Sequence, residues 1–281
     1  MVLHRRIVCS CLVVAAVFVV ARSTHADVPT DLIIRQRGEL PIILSAPHGG
    51  NLAIPDTPER TGEGLRLGAG GFVTVRDINT DKLAIALSAA IDKQFDKKPY
   101  LVVAQFRRKF VDVNRQASEA YEHPNAQAVY DTYHGTLDEY ARAVQKQFGR
   151  GLVIDLHGQS SARDTIFRGT QNGKTVAHLV ARFGPTAHVG PKSLVGLLSK
   201  YGMKLHPLDD GREQAGFAGG YITQTYGGMG VYGLDAIQLE FGGEYSDLKK
   251  IDDTAAKLAG GIEKFAELYL SLTPAKAQRN P

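Results

Sequence analysis

Leu40-Pro41-Ile42-Ile43-Leu44-Ser45-Ala46-Pro47-His48-Gly49-Gly50 is the stretch whose reading decides the fold of this chain. Its apolar residues read as a short buried strand, and a histidine follows the strand end with no room for a loop. A proline before that histidine and two glycines after it place the ring at the carboxyl edge of a sheet, where open α/β sheets bind ligands. Gly151-Leu152-Val153-Ile154-Asp155-Leu156-His157-Gly158 repeats the design. Two imidazoles delivered to one edge can share a metal ion. Asp155 lies two residues before His157, on the same face of an extended chain, so it is placed to hold the ring from behind. The bland alternative is that each histidine is a polar strand end near the surface.

Outward from these strands, the pattern alternates. Residues 31–35 and 40–45 read as strands joined at Gly38, and residues 51–72 as a long Pro- and Gly-rich loop of the kind that walls a site. A helix is expected from Asp77 to near Pro99, with Leu83, Ile85, Ala86, Leu87, Ala90 and Ile91 as its apolar stripe. Residues 100–106 form a third strand, and alternation then puts Asp112 and Asn114 on one face. His123-Pro124 precedes a long helix to Phe148, with Gly135 as a candidate kink. Short strands are expected at 165–168 and 203–208, a helix at 193–201, loop over much of 211–233, a strand at 236–241 and a closing helix at 251–272. This alternation describes an α/β three-layer sandwich, a mostly parallel central sheet with helices on both faces.

Residues 1–26 read as a secretory signal, with a charged start at His4-Arg5-Arg6, an apolar run from Ile7 to Val20 and a small-residue end at Ala26. Both cysteines, Cys9 and Cys11, fall inside it, so in the remaining residues 27–281 a metal must be held by histidine and carboxylate. Removing the segment takes Arg5, Arg6 and Arg22 and no acid, which lowers the formal charge from +4 to +1. The charge therefore offers no argument for nucleic acid or a membrane surface as partner. With no internal repeat or linker, 27–281 reads as one catalytic domain, exported to the periplasm or the extracellular space.

A hydrolytic zinc needs about three protein ligands and one open position. His48 and His157 supply two, and Asp56, Glu59, Asp77 and Asp81 are the candidates for the third. Asp77 is preferred, because the start of a helix favours a carboxylate; its competing role is a plain helix cap. Glu240 sits mid-strand in Ile237-Gln238-Leu239-Glu240-Phe241, where a carboxylate is hard to explain as decoration. It is the candidate general base, with a buried salt bridge as the alternative. Arg108, Asn114 and Arg115 offer donors suited to a substrate carboxylate, unless the arginines face solvent or pair with Asp112.

The motif set resembles the N-formylglutamate amidohydrolase family. The matching pieces are Ser45 through Gly50, Asp77, Arg108 through Asp112-Val113-Asn114-Arg115, Asp155-Leu156-His157-Gly158, Gly219-Gly220-Tyr221-Ile222-Thr223 with Tyr226-Gly227, and Gln238-Leu239-Glu240, in the same order. The resemblance implies a zinc carboxypeptidase-like fold and one zinc ion on His48, His157 and a carboxylate. It also implies Glu240 as base, and Asn114, Arg115, Gly220, Tyr221 and Gln224 around a small-molecule or peptide substrate bearing a carboxylate. Arg108 and Tyr221 are the candidates to steady the oxyanion. Two departures stand out. Asn51 occupies the place where the wider carboxypeptidase-like group carries a metal-binding glutamate, and Gln224 the place where formylglutamate enzymes tend to carry a basic residue. The expected activity is hydrolysis of an N-acyl amino acid, N-formylglutamate-like or glutamyl or cell-wall peptide amide by zinc-activated water. A non-catalytic binding protein for an acidic ligand and a metal-dependent esterase or phosphatase are the rival readings.

Overall fold

The computed structural model describes residues 28–274 apart from 69, 210 and 229; the signal read at 1–26 lies outside the described residues. Among these, strands β1 (Ile33–Gln36), β2 (Ile42–Ala46), β3 (Tyr100–Ala104), β4 (Leu152–Gln159), β5 (Ile166–Gly169), β6 (Leu205–His206) and β7 (Asp235–Gly242) form a 7-stranded sheet. Its order is β1-β3-β2-β4-β7-β5-β6. The helices are α1 (Thr80–Phe95), α2 (Ala117–Ala120), α3 (Pro124–Phe148), α4 (Ala177–Phe183), α5 (Thr186–Val189), α6 (Leu194–Lys200), α7 (Tyr221–Tyr226) and α8 (Ile251–Tyr269).

Period-two alternation divides the core into two halves. Leu44, Val103, Ile154 and Leu239 turn to one face, where α1, α6 and α8 cover them. Ile43, Val102, Val153 and Ala236 turn to the other, under α3 and α7. The expected layers, helices on both faces of a sheet, are present.

The sheet is more mixed than the alternation suggested. Its centre, β3-β2-β4-β7, is parallel, but β1 runs antiparallel to β3 and β5 antiparallel to β7. The cause is connection length: a parallel neighbour needs a crossover of a dozen or more residues. The links β1 to β2 and β4 to β5 are far shorter, so in each case the chain reverses and inserts on the far side of an intervening strand. Helix α3 runs unbroken through Gly135. Helices α2, α4 and α5 lie where no element was expected, and α7 forms inside the glycine-rich segment 211–233.

Helix α1 begins at Thr80 rather than at Asp77. Asn79 takes a left-handed conformation (φ 61°) immediately before it. Asp77 is thus freed from capping, and the turn that carries it can reach across to the strand edge.

Burial pushes the carboxyl of Asp235, at the start of β7, up to about 6, against hydrogen bonds from the start of α4. Because the folded value is raised, its contribution to stability is full below about pH 4 and is lost as pH rises through 6. The two-unit shift corresponds to about 3 kcal/mol. Urea unfolding of Asp235→Asn and wild type from pH 4.5 to 8 is expected to show wild type losing about 2 kcal/mol relative to the variant, the part that falls above pH 4.5; parallel curves would remove the assignment.

Candidate metal centre

The face that bears α3 and α7 also carries the polar residues of the strand ends. Ser45, Asp155, His157, Gln238 and Glu240 alternate with apolar residues that point to the opposite core. In the β4–β7 register Asp155 pairs with Gln238 and His157 with Glu240, and paired residues stand about 4.8 Å apart with side chains on one face. His48 arrives just past the end of β2. The glycines after it are required by close approach, since a Cβ at Gly49 would lie 2.2 Å from the Asp81 nitrogen and one at Gly50 2.1 Å from the Gln105 carbonyl carbon. Two hydrogen bonds then clip the Asp77 turn to both histidine segments: its N–H donates to the His48 carbonyl (3.1 Å), and its Oδ2 accepts from the Gly158 N–H (3.0 Å).

His48, Asp77 and His157 are all buried, and one ligand atom from each lies within 4.8 Å of the other two. Outer partners decide which ring nitrogen is available. His48 Nε2 contacts Asp112 Oδ1 at 2.8 Å, and His157 Nε2 contacts Asp155 Oδ2 at 2.9 Å. Each ring therefore donates outward and turns Nδ1 inward, where Asp77 Oδ2 lies 3.5 Å from His48 and 3.1 Å from His157. Bonds of 2.0–2.1 Å in a tetrahedral arrangement place ligand atoms about 3.3 Å apart, so the spacing suits an ion. His48 Nδ1 has no hydrogen-bond partner among the described residues although it is buried. Once His157 gives up its inner proton, three lone pairs, that of the unpartnered His48 Nδ1 among them, face one another in a site that can hold a metal ion.

Electrostatics agree. Burial works to raise the Asp77 carboxyl, but the His157 hydrogen bond and the adjacent His48 ring outweigh it and hold the group well below the usual carboxylate range. Burial works to lower the His157 imidazole, and Asp155, Asp77 and Glu240 reverse this and hold it well above its ordinary value. The metal-free protein thus keeps a proton where a cation would sit, and metal binding must release it. Asp155→Asn keeps the shape while removing the charge behind His157. It is expected to weaken metal affinity by roughly 10–100-fold in a chelator competition titration, and unchanged affinity would mean that Asp155 does not tune the ring.

His48 is backed by a second carboxylate. Asp112 is buried and takes the Arg108 guanidinium on Oδ2, from Nε at 2.8 Å and Nη2 at 2.7 Å, while Oδ1 also accepts the Asn114 N–H at 3.0 Å. Burial opposes ionisation of Asp112, but the Arg108 charge and His48 hold the carboxyl well below its usual range. Arg108, read as an oxyanion donor, is here committed to Asp112 and acts on His48 through it. Burial pushes the Glu240 carboxyl up to about 7. Gln238 holds it, accepting from the Gly220 N–H at 2.7 Å and donating to Glu240 Oε1 at 2.7 Å.

The remaining sequence candidates divide. Asn114 joins the centre: its Nδ2 lies 3.1 Å from His157 Nε2, and its Oδ1 accepts the Ile222 N–H at 2.8 Å. Arg115 sits beside it, bonded to the carbonyls of Asn114 and Gly70, with Nε unpartnered among the described residues. Gly220 caps α7, Tyr221 opens that helix, and Gln224 is exposed with its amide toward Gly219. Asp56 and Glu59 are exposed, and Glu59 pairs with Lys109. Asp81 is buried in the first turn of α1, outside the three-residue group. Asn51 accepts the Arg107 Nε–H on its Oδ1. Sequence reading passed over the supporting role of Gln238, although its place two residues before Glu240 was a visible signal. It also passed over His134, half-buried among Tyr130, Tyr133, Tyr221 and Tyr226 and bonded to the Val113 carbonyl.

No family model and no curated protein matches the chain. Solved structures do. The chain is similar to N-formylglutamate amidohydrolase from Ralstonia eutropha JMP134, with TM-score 0.52 and 17% identity over 85% of this chain and 98% of that one. A gene product from Agrobacterium tumefaciens aligns with TM-score 0.51 and 14% identity over 85% of this chain and 96% of the other. At these identities the likeness is one of fold, and it agrees with the resemblance carried by the motifs.

Proposed function

We propose that this protein is an exported, zinc-dependent amidohydrolase that cleaves an amide bond next to a carboxylate-bearing residue. The observation that carries the reading is the convergence of His48, Asp77 and His157 Nδ1-side ligands beside Glu240, which stands one strand over from His157. The donor set of two imidazoles and one carboxylate with an open position is that of catalytic rather than structural zinc. When bound, the ion would supply Lewis-acid polarisation and acidify a water. The chain's own residues supply the rest. Glu240, held by Gln238, takes a proton and returns it to the leaving amine, while Arg115, beside Asn114, offers the substrate carboxylate a cation. Support for an amide as substrate comes from the shared fold with N-formylglutamate amidohydrolase. The leader read at 1–26 supports export.

The test is turnover by the zinc-loaded chain of N-formyl, N-acetyl and γ-glutamyl amides, each paired with an analogue whose carboxylate is a carboxamide. Amine release from the acids, with kcat/KM reduced for the carboxamides, is expected. A stoichiometrically metallated protein that cleaves none of the amides, or that hydrolyses esters or phosphate esters instead, would overturn the proposal.

A further inference from the structure

A pocket of about 540 Å³ lies beyond β5, and none of the chemistry above uses it. Strand alternation separates it from the metal centre. Arg168, which lines the pocket, pairs with Leu239 in the β5–β7 register, whereas Glu240 pairs with Phe167. The side chains of Arg168 and Glu240 therefore leave opposite faces of the sheet. Ala177, Val180 and Ala181 of α4, with Pro185 and Val189 around α5, give the pocket apolar walls. Its volume falls within the roughly 300–1,000 Å³ common for small-molecule sites.

The polar groups are few and largely of one sign. Arg168 is only 2% exposed and is fixed by Glu213, whose Oε1 accepts its Nε at 3.1 Å. Glu213 is itself fully engaged, taking the N–H groups of Thr170 and Asn172 at 2.8 Å each and the Thr170 hydroxyl. It orients the guanidinium without facing the pocket. Beyond Nε, the Arg168 head reaches, among the described residues, only the Asp209 carbonyl, from Nη1 at 3.5 Å, a marginal distance, so there its fork keeps donor capacity. Lys174 lines the same pocket from an exposed turn. His188, 9% exposed, also lines it, and its Nδ1 has no partner among the described residues; burial keeps this ring neutral by pushing it down to about 4. Among the lining side chains Arg168 and Lys174 are the cations and none is an acid; Glu213 and Asp209 act on Arg168 from outside the lining, so the pocket wall itself suits a single negative charge.

We propose that this pocket is a second ligand site, for a monoanion of about ten heavy atoms whose apolar body lies against α4 and α5 and whose anionic head meets Arg168 and Lys174. The test is isothermal titration of the metal-loaded chain with 4-phenylbutyrate and with its neutral amide. Saturable binding of the acid is expected, with the amide at least tenfold weaker. Ala181→Trp, which fills the pocket from its exposed rim, is expected to weaken the acid at least tenfold, and Lys174→Glu several-fold, in proteins whose urea unfolding matches wild type. No saturable binding of the acid up to about 10 mM, where affinity is only a few kcal/mol, would overturn the proposal. Equal affinity for the amide would overturn the anionic head. Binding that Ala181→Trp leaves unchanged would place the anion elsewhere, the metal centre included, and would also overturn the site.

Discussion

Glu240→Gln is expected to lower kcat/KM by about 10²–10⁴-fold, the range for loss of a positioned acid or base, while bound metal stays at the wild-type level. The substitution preserves length and the bond from Gln238, and Glu240 lies outside the three-residue ligand group. The pH profile separates loss of a base from mere distortion. Burial pushes Glu240 up to about 7 in the metal-free protein, and a neighbouring cation favours the carboxylate and moves it down. As a base the group must be ionised, so log kcat/KM of wild type should climb with pH and level off at or below about 7, and the residual activity of the variant should lack that limb. Full activity in Glu240→Gln, or the same acid limb in both proteins, would remove the assignment.

Stripping the third ligand should have an effect of similar size on the metal itself. Asp77→Asn, His48→Ala and His157→Ala are each expected to lose stoichiometric metal after gel filtration, with affinity down by more than the roughly 100-fold that an outer partner costs. Asp56→Asn, Glu59→Gln and Asp81→Asn should keep it, because these carboxylates stand outside the group. Zinc should also raise the unfolding temperature of wild type and of the second set, since a ligand that binds only the folded state stabilises it. Retention of one equivalent of metal by Asp77→Asn would show that a different carboxylate completes the site.

Much of this was legible along the chain, and some of it was not. The two histidine segments, the pairing of Asp155 with His157 and the inward place of Glu240 follow from strand alternation, which acts over two residues and survives whatever the rest of the chain does. Arg108 shows the other case. Its charge and position suited a substrate, yet it spends that charge on Asp112, and four residues of sequence separation do not say whether a guanidinium turns outward or back. The segment 211–233 hid α7 because its glycines dominate composition, while Ile222 and Tyr226 are held by packing into the core beneath α3.

By itself, then, the amino-acid order determined which strands end in histidine, that no cysteine lies beyond position 11, and that a carboxylate faces the same side as His157. Only the tertiary structure selected Asp77 from four acids, set Asp112 behind His48 and reversed the flanking strands. The physical reason is range: alternation is enforced by neighbouring peptide units. The meeting of Asp77 with Gly158, 81 residues apart, depends instead on a turn before α1 folding over an edge that exists only once β2, β4 and β7 have packed.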